Sequence, residues 1–163
     1  MNRDQFWALI GSSRENDSSQ PEEGLRKVLS SLGTDELASF QQHFDELFDA
    51  AYRWDLWGAA YLIGGGCSDD GFTDFRYGLI SLGRATYEAA VANPDSLVTV
   101  EDEIPNESFG YVATSLYEEK GGGDLDRKST APPDPIGDDW DFDDQEENQR
   151  RLPKLHEKFG GAA

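Results

Sequence analysis

The sequence predicts an all-α protein, a single compact helical domain of about six or seven helices with an extended acidic C-terminal arm. Apolar residues recur at helical spacing through most of residues 4–117, which is typical of helices with one buried face. The only β-like run, Leu97–Val100, is too short to build a sheet. A chain of 163 residues is long enough for one domain with a proper core.

The first helix is predicted over Asp4–Ser13, followed by a polar loop at Arg14–Gln20. Pro21 suits the first turn of a second helix, because its missing N–H group is not needed there. Gly33 is expected to end that helix in the left-handed conformation.

Thr34 is predicted to cap a third helix, whose apolar stripe runs from Leu37 to Ala51. The opposite, polar side of this helix carries Gln41, Gln42, Asp45, Glu46 and Asp49.

A fourth helix is predicted over Asp55–Ile63, buried on most sides and ended by three glycines. Ser68 or Asp69 is expected to cap the next helix, which continues through Leu82. Another helix is predicted over Arg84–Ala92, closed by Asn93 and Pro94.

Pro105 or Asn106 is expected to begin one further helix, which Gly121–Gly123 stop. Residues 124–139 contain Pro132, Pro133 and Pro135 and are predicted to be irregular. A short terminal helix is predicted within Asp144–Phe159, interrupted at Pro153. We therefore divide the chain into a helical core domain, residues 1–123, and a linker with an acidic arm that docks on it, residues 124–163.

The composition excludes several classes of protein. With 33 acidic and 14 basic residues the net charge is -19, which argues against direct binding of nucleic acid or of an anionic membrane surface. One cysteine permits no intrachain disulfide. The N-terminal residues resemble neither a signal nor a transit peptide, and no apolar run approaches the ~20 residues that span a bilayer. We expect a cytoplasmic protein.

The acidic charge is densest between Asp134 and Glu147, a stretch with eight acidic residues and no basic one. Trp140 and Phe142 lie within it. In one interpretation these two aromatic residues dock on the helical body. In the other, the arm engages a basic protein partner or mimics nucleic acid.

Two motifs carry a resemblance to a known family. They are YRWDLWGAAYLI at residues 52–63 and GGCSDDGF at residues 65–72, extended by Asp74–Arg76, Leu79–Ile80 and Gly83–Arg84. The sequence resembles the domain-of-unknown-function family 4240, found as small bacterial proteins common in actinobacteria, and the resemblance covers nearly the whole chain. Gly64 departs from it, since the family often has asparagine there. The resemblance implies no activity, cofactor or catalytic residue; a related domain in proteins labelled as molybdate-metabolism regulators hints at regulation.

The glycine-rich loop and the acidic residues after it form one candidate ligand site. Such a loop before a helix can hold phosphate, but Asp69, Asp70 and Asp74 would repel an anion, so helix capping is the alternative. Asp70 and Asp74 share a helix face and are conceivable ligands of a hard cation. Arg76 and Arg84 are expected either to pair with these acidic residues or to contribute to the ligand site.

A cluster of aromatic and charged residues at 52–57 is a candidate recognition surface, because Trp, Tyr and Arg dominate interaction hot spots. Trp54 and Trp57 would form this surface, with Trp140 and Phe142 of the arm. The alternative is a helix junction in which Arg53 and Asp55 are paired and the indoles belong to the core. Arg53 and Asp55 are also counted among the candidate ligand-binding residues.

No catalytic residue, metal site or cofactor is predicted. Cys67 lacks a second thiol, and one cysteine with two histidines cannot assemble a zinc site without carboxylate help. The sequence favours a non-catalytic interaction or regulatory module. The alternatives are an enzyme or a small-ligand or metal-binding protein that uses the Asp/Arg cluster, and an acidic immunity-type or nucleic-acid-mimicking inhibitor. The sequence leaves the oligomeric state undetermined.

Overall fold

The computed structural model describes residues 1–16 and 19–160, and it confirms the all-α fold. The described residues form nine α-helices and two 3-10 helices, with no strand; Arg53 and Ile136 form an isolated parallel β-bridge. The α-helices are α1 Arg3–Asn16, α2 Pro21–Leu29, α3 Thr34–Ala50, α4 Trp54–Gly64, α5 Asp69–Ser81, α6 Arg84–Ala92, α7 Val112–Glu119, α8 Gln145–Arg151 and α9 Pro153–Phe159. The 3-10 helices are Pro94–Thr99 and Ser108–Tyr111.

The first three helices differ from the prediction at their ends. Helix α1 continues to Asn16, into the segment predicted as a loop. Gly33 does not end α2; it has a φ of -76° and occupies the N-cap position of α3. Its N–H group donates to the Glu36 carboxylate at 3.0 Å, so the predicted role of Thr34 as the cap is wrong. The carboxylate of Glu36, in the first turn of α3, thus accepts a hydrogen bond from the backbone N–H group at the start of this helix.

Helices α4 to α6 follow the sequence signals closely. Gly65, with a φ of 67°, ends α4 in the left-handed conformation that favours glycine. The Ser68 hydroxyl accepts a hydrogen bond from Gly71 N at 3.1 Å and caps α5. Helix α6 spans the predicted Arg84–Ala92, because the Asn93-Pro94 pair after it cannot continue a helix.

The run Leu97–Val100, read as β-like from its composition, is not a strand. Residues Pro94–Thr99 form a 3-10 helix, and Leu97 is buried in the core. The helix expected from Pro105 begins later, as the second 3-10 helix followed by α7. No helix in the described part of the chain combines the length and the apolar character needed to cross a membrane.

The core is built around large buried aromatic residues, including Phe6, Phe40, Phe44 and Phe109. The C-terminal residues contribute to this same core, with Trp140, Leu152 and Leu155 buried. The predicted extended arm is therefore not confirmed, since these three side chains are part of the core. The C-terminal segment also raises the number of helices above the predicted six or seven, because Pro153 starts α9 directly after α8.

The polar side of α3 is partly buried. Gln41, Asp45 and Asp49 are each less than 9% exposed, although the sequence places them opposite the apolar stripe. The Arg127 guanidinium donates to both carboxylate oxygens of Asp45, at 3.0 and 2.5 Å. The C-terminal half of the chain therefore covers a helix face that sequence periodicity assigns to the polar side.

Candidate functional site

The four aromatic residues predicted as an interaction surface lie in one cluster. Trp54 and Trp57 are half-buried and stack with ring centroids 5.5 Å apart. Phe142 contacts both rings, at centroid distances of 6.3 and 6.4 Å. Trp140 packs edge-to-face on Phe142 at 5.0 Å. The structure therefore brings the 52–57 segment and the two aromatic residues of the acidic stretch together.

Backbone and side-chain hydrogen bonds hold the C-terminal segment on this cluster. Ile136 donates to Tyr52 O at 2.8 Å and accepts from Trp54 N at 3.0 Å. The fully buried Asn148 accepts from Trp140 Nε1 and donates to Phe142 O, both at 2.8 Å. The chain itself thus covers much of the surface that Trp54 and Trp57 would offer to a partner.

Arg53 and Asp55 form an ion pair at the start of α4, with Arg53 Nε 3.1 Å from Asp55 Oδ1. The same oxygen accepts from Leu56 N at 2.8 Å. Arg53 and Asp55 therefore neutralise each other at the N-terminus of α4. The free N–H groups of the first turn also favour a carboxylate at this position.

In the described part of the chain, no basic side chain pairs with the three acidic residues at the start of α5. Asp69 and Asp70 are exposed and Asp74 is half-buried, and none has a basic side chain within 4.0 Å in the described part of the chain. Arg84 lies elsewhere and pairs with Asp4 at 2.7 Å and Glu88 at 2.8 Å. The structure therefore separates Arg84 from the acidic residues with which it was expected to act.

Arg76 is a buried cation, only 6% exposed. Its guanidinium carbon lies 3.8 Å from the centre of the Phe48 ring and about 5 Å from those of Tyr52 and Phe72, distances at which an arginine is attracted to a ring face. Its Nη1 donates to Phe48 O at 3.1 Å, which satisfies a carbonyl in the last turn of α3. Burial lowers the pKa of Arg76 to about 10, so the group remains protonated at neutral pH.

The glycine-rich loop opens onto a concave pocket of about 470 Å³. We call it the loop pocket. Apolar residues of α4, of α5 and of the segment before the second 3-10 helix form the floor of this pocket. The acidic residues Asp102 and Glu103 line one side. The lining residues are Ala60, Ile63, Gly64, Gly66, Cys67, Ser68, Gly71, Phe75, Asp102, Glu103, Ile104 and Pro105.

Cys67 lines the loop pocket as a protonated thiol. Burial raises its pKa to about 11, with smaller contributions from the negative charges of Asp69 and Asp74. Because the thiolate is the nucleophilic form, this thiol is a poor nucleophile at neutral pH. The pocket therefore favours binding rather than covalent chemistry.

A larger groove of about 630 Å³ lies between the polar side of α3 and residues 125–130. Apart from Ala38 and Leu125, its lining side chains are polar, among them Gln42, Glu46 and Lys128. The lining of this groove is therefore more polar than that of the loop pocket.

No sequence motif marks the residues that complete the loop pocket. Asp102, Glu103 and Ile104 are separated from the glycine-rich loop by α5 and α6 and follow no recognisable motif. Within the described ranges, no group of three or more His, Cys, Asp and Glu side chains is arranged to hold a metal ion.

The family model described as "Protein of unknown function (DUF4240)" matches residues 1–119. No curated protein and no solved structure matches the chain. The matched range ends with α7, whereas the buried residues continue to Leu155.

Proposed function

Because the chain belongs to the DUF4240 family, whose description carries no activity, we propose a function from the structure itself: a non-catalytic module that binds a basic segment of a partner protein in the loop pocket. The observation that carries this proposal is the combination of an apolar floor and an acidic side in one concave site.

The apolar floor suits a side chain of moderate size. Ile63 is half-buried and Phe75 and Ile104 are buried, so the pocket offers hydrocarbon contacts without disturbing the core. Binding pockets are usually concave and largely apolar, with a few polar groups that set orientation. Burial of a partner's leucine or isoleucine side chain in this pocket would therefore stabilise the complex.

The acidic side suits a basic neighbour of that apolar side chain. Asp102 and Glu103 are exposed, and the one basic side chain that the described residues place near Asp102 is Arg14, at a long distance of 3.8 Å. The net charge of -19 attracts cations over longer distances and speeds their encounter with the surface. The partner chemistry is therefore a segment in which basic and apolar residues alternate.

The test uses a fluorescent hexapeptide of alternating arginine and leucine and measures its anisotropy with the full chain. We expect saturable binding that weakens between about 0.05 and 0.5 M salt, because salt screens exposed charges. Replacing the leucines by serines, or the arginines by glutamates, should remove binding.

A pair of double variants with equal net charge locates the site. Asp102→Asn with Glu103→Gln should weaken the peptide about threefold to tenfold, the effect of losing two exposed charge contacts. Asp138→Asn with Asp139→Asn removes the same charge from an exposed stretch outside the pocket and should leave affinity within about twofold of the unaltered protein. Equal weakening by both double variants would contradict the proposed site.

A further inference from the structure

Arg76 differs from the other arginines in its lack of an acidic partner. Each of the remaining eight has a carboxylate oxygen within 4.0 Å; these are Arg3, Arg14, Arg26, Arg53, Arg84, Arg127, Arg150 and Arg151. Arg76 has none among the described residues and is 6% exposed. Asp49 is near enough to favour the charged form of Arg76 but forms no ion pair with it, so among the described residues the most deeply buried arginine is the one without a direct carboxylate contact.

The unused donors of Arg76 lie along one edge of the guanidinium. Nη1 is bonded to Phe48 O, whereas Nε is buried without a partner and Nη2 has none among the described residues. Arg53, Arg127 and Arg150 each use this same Nε–Nη2 edge to hold a carboxylate with two hydrogen bonds. The edge that Arg76 leaves free therefore has the geometry that matches a carboxylate.

This guanidinium lines a pocket of about 250 Å³, separate from the loop pocket. Aromatic rings form much of its wall, and Trp57 and Phe72 stack there with centroids 4.9 Å apart. Two acidic residues, Asp49 and Asp69, also line it. We call this cavity the Arg76 pocket.

The two acidic residues restrict the charge of the ligand. Asp49 Oδ2 already accepts hydrogen bonds from Ser129 and from the N–H groups of Thr130 and Ala131. Asp69 is exposed and has no basic side chain within 4.0 Å among the described residues. A simple anion would be repelled by both carboxylates, whereas a ligand that carries its own positive charge would not.

The spacing of Asp69 and Arg76 suits such a ligand. They are seven residues apart on α5, so both side chains leave the same face of the helix. The helical rise separates their Cα atoms by about 10 Å, and a long side chain on a helix leans towards the N-terminus, which brings the guanidinium closer to Asp69.

We propose that the Arg76 pocket binds a free α-amino acid with an apolar side chain. The α-carboxylate bonds to the Nε–Nη2 edge of Arg76, the α-ammonium group faces Asp69, and the side chain packs against Trp57 and Phe72. Because Nε is buried, its engagement requires a small shift of the surrounding side chains. This site goes beyond the proposed partner segment and uses a different cavity.

The test is a nuclear magnetic resonance titration of the full chain, following the Nε–H signals of the arginines and the indole N–H signals. The probes are L-leucine, leucinamide, which lacks the carboxylate, and 4-methylpentanoate, which lacks the ammonium group. We expect L-leucine to shift the Arg76 and Trp57 signals saturably. Each of the other two compounds should bind at least about tenfold more weakly, as expected for the loss of one charge-assisted hydrogen-bonded group.

Two variants separate the Arg76 pocket from general charge effects. Arg76→Gln should weaken L-leucine at least about tenfold, whereas Arg84→Gln, which removes an equal charge from an exposed ion pair, should retain it. If Arg76→Gln does not fold, Thr73→Leu fills the pocket while keeping the guanidinium and should also prevent binding. Unchanged Arg76 signals at high L-leucine, or equal affinity for the three probes, would overturn the proposal.

Discussion

The indole of Trp140 occupies the space beside Gly58 where any other residue would place its Cβ atom. Gly58 lies in the middle of the buried helix α4, and Trp140 reaches it from a segment 82 residues later in the chain. The absence of a side chain at residue 58 is thus what allows the acidic C-terminal stretch to dock.

Gly58→Ala should displace Trp140, and this overpacking alone costs about 1–3 kcal/mol of the free energy of unfolding. The gain of about 1 kcal/mol from the higher helix propensity of alanine offsets part of this loss. Gly64→Ala is the control, since it lies in the same helix and, apart from its neighbours and the nearby helix backbone, no described atom lies within 4 Å of its added methyl group. Chemical denaturation measures both, and equal stability of the two variants would argue against the close contact.

Asp49 anchors the irregular segment that crosses α3. Its Oδ2 accepts from Thr130 N at 2.6 Å and from Ala131 N at 3.1 Å. Asp49→Ala should release this segment at a cost of about 1 kcal/mol, because the freed N–H groups can partly hydrate. Trypsin cleavage after Arg127 and Lys128 should then become several-fold faster.

The control for this cleavage experiment is Asp126→Ala. The side chain of Asp126 is 85% exposed, and its one basic contact within the described ranges is Lys128 at 4.0 Å. Its removal should leave the cleavage rate close to that of the unaltered protein. An unchanged rate in Asp49→Ala would show that Asp49 does not hold the segment.

Asp95 caps helix α9 from a distant part of the chain. Its two carboxylate oxygens accept from Lys154 N at 3.1 Å and Leu155 N at 2.9 Å, and the residue is 5% exposed. Asp95→Ala should cost about 1–2 kcal/mol, as for loss of a helix cap, and Asp95→Asn less. Thermal unfolding checks this against Asp139→Ala, an exposed acidic residue; a melting temperature of Asp95→Ala equal to that control would refute the capping role.

The sequence predicted the fold class and many helix boundaries because those signals are local. Helix α6 was placed correctly since Arg84 follows a glycine and Ala92 precedes Asn93 and Pro94. The apolar stripe of α3 was likewise visible from spacing alone. The division of the chain at residue 123 stays a prediction.

Long-range contacts could not be predicted in the same way. Asp45 and Asp49 were placed on the polar side of α3, and nothing local shows that residues near Arg127 and Thr130, some 80 positions later, cover them. Arg76 was expected either to pair with acidic neighbours or to join their ligand site, but its contacts are rings and a carbonyl brought together by α3 and α5. The periodicity of side chains shows which face of a helix is apolar. It does not show which distant segment covers the polar face.

The thiol of Cys67 should titrate far above neutral pH. Burial first, and then Asp69 and Asp74, raise its pKa to about 11, so the protonated form persists as the pH rises. Alkylation by iodoacetamide should therefore accelerate about tenfold per pH unit between about pH 7 and 10 without levelling off. Asp69→Asn should shift this profile to lower pH, whereas Asp70→Asn should not; levelling off below about pH 9 would contradict the raised pKa.

The single cysteine also provides the most direct test of the proposed partner site, because Cys67 lines the loop pocket and no other thiol is present. The measurement is the alkylation rate of Cys67 at constant pH, with and without a saturating amount of the alternating arginine–leucine hexapeptide. Occupation of the loop pocket predicts that the bound peptide slows alkylation at least about fivefold in the unaltered protein and in Asp138→Asn with Asp139→Asn. If Cys67 is alkylated at the same rate with and without the peptide, while anisotropy shows that the peptide is bound, the proposed binding in the loop pocket is contradicted.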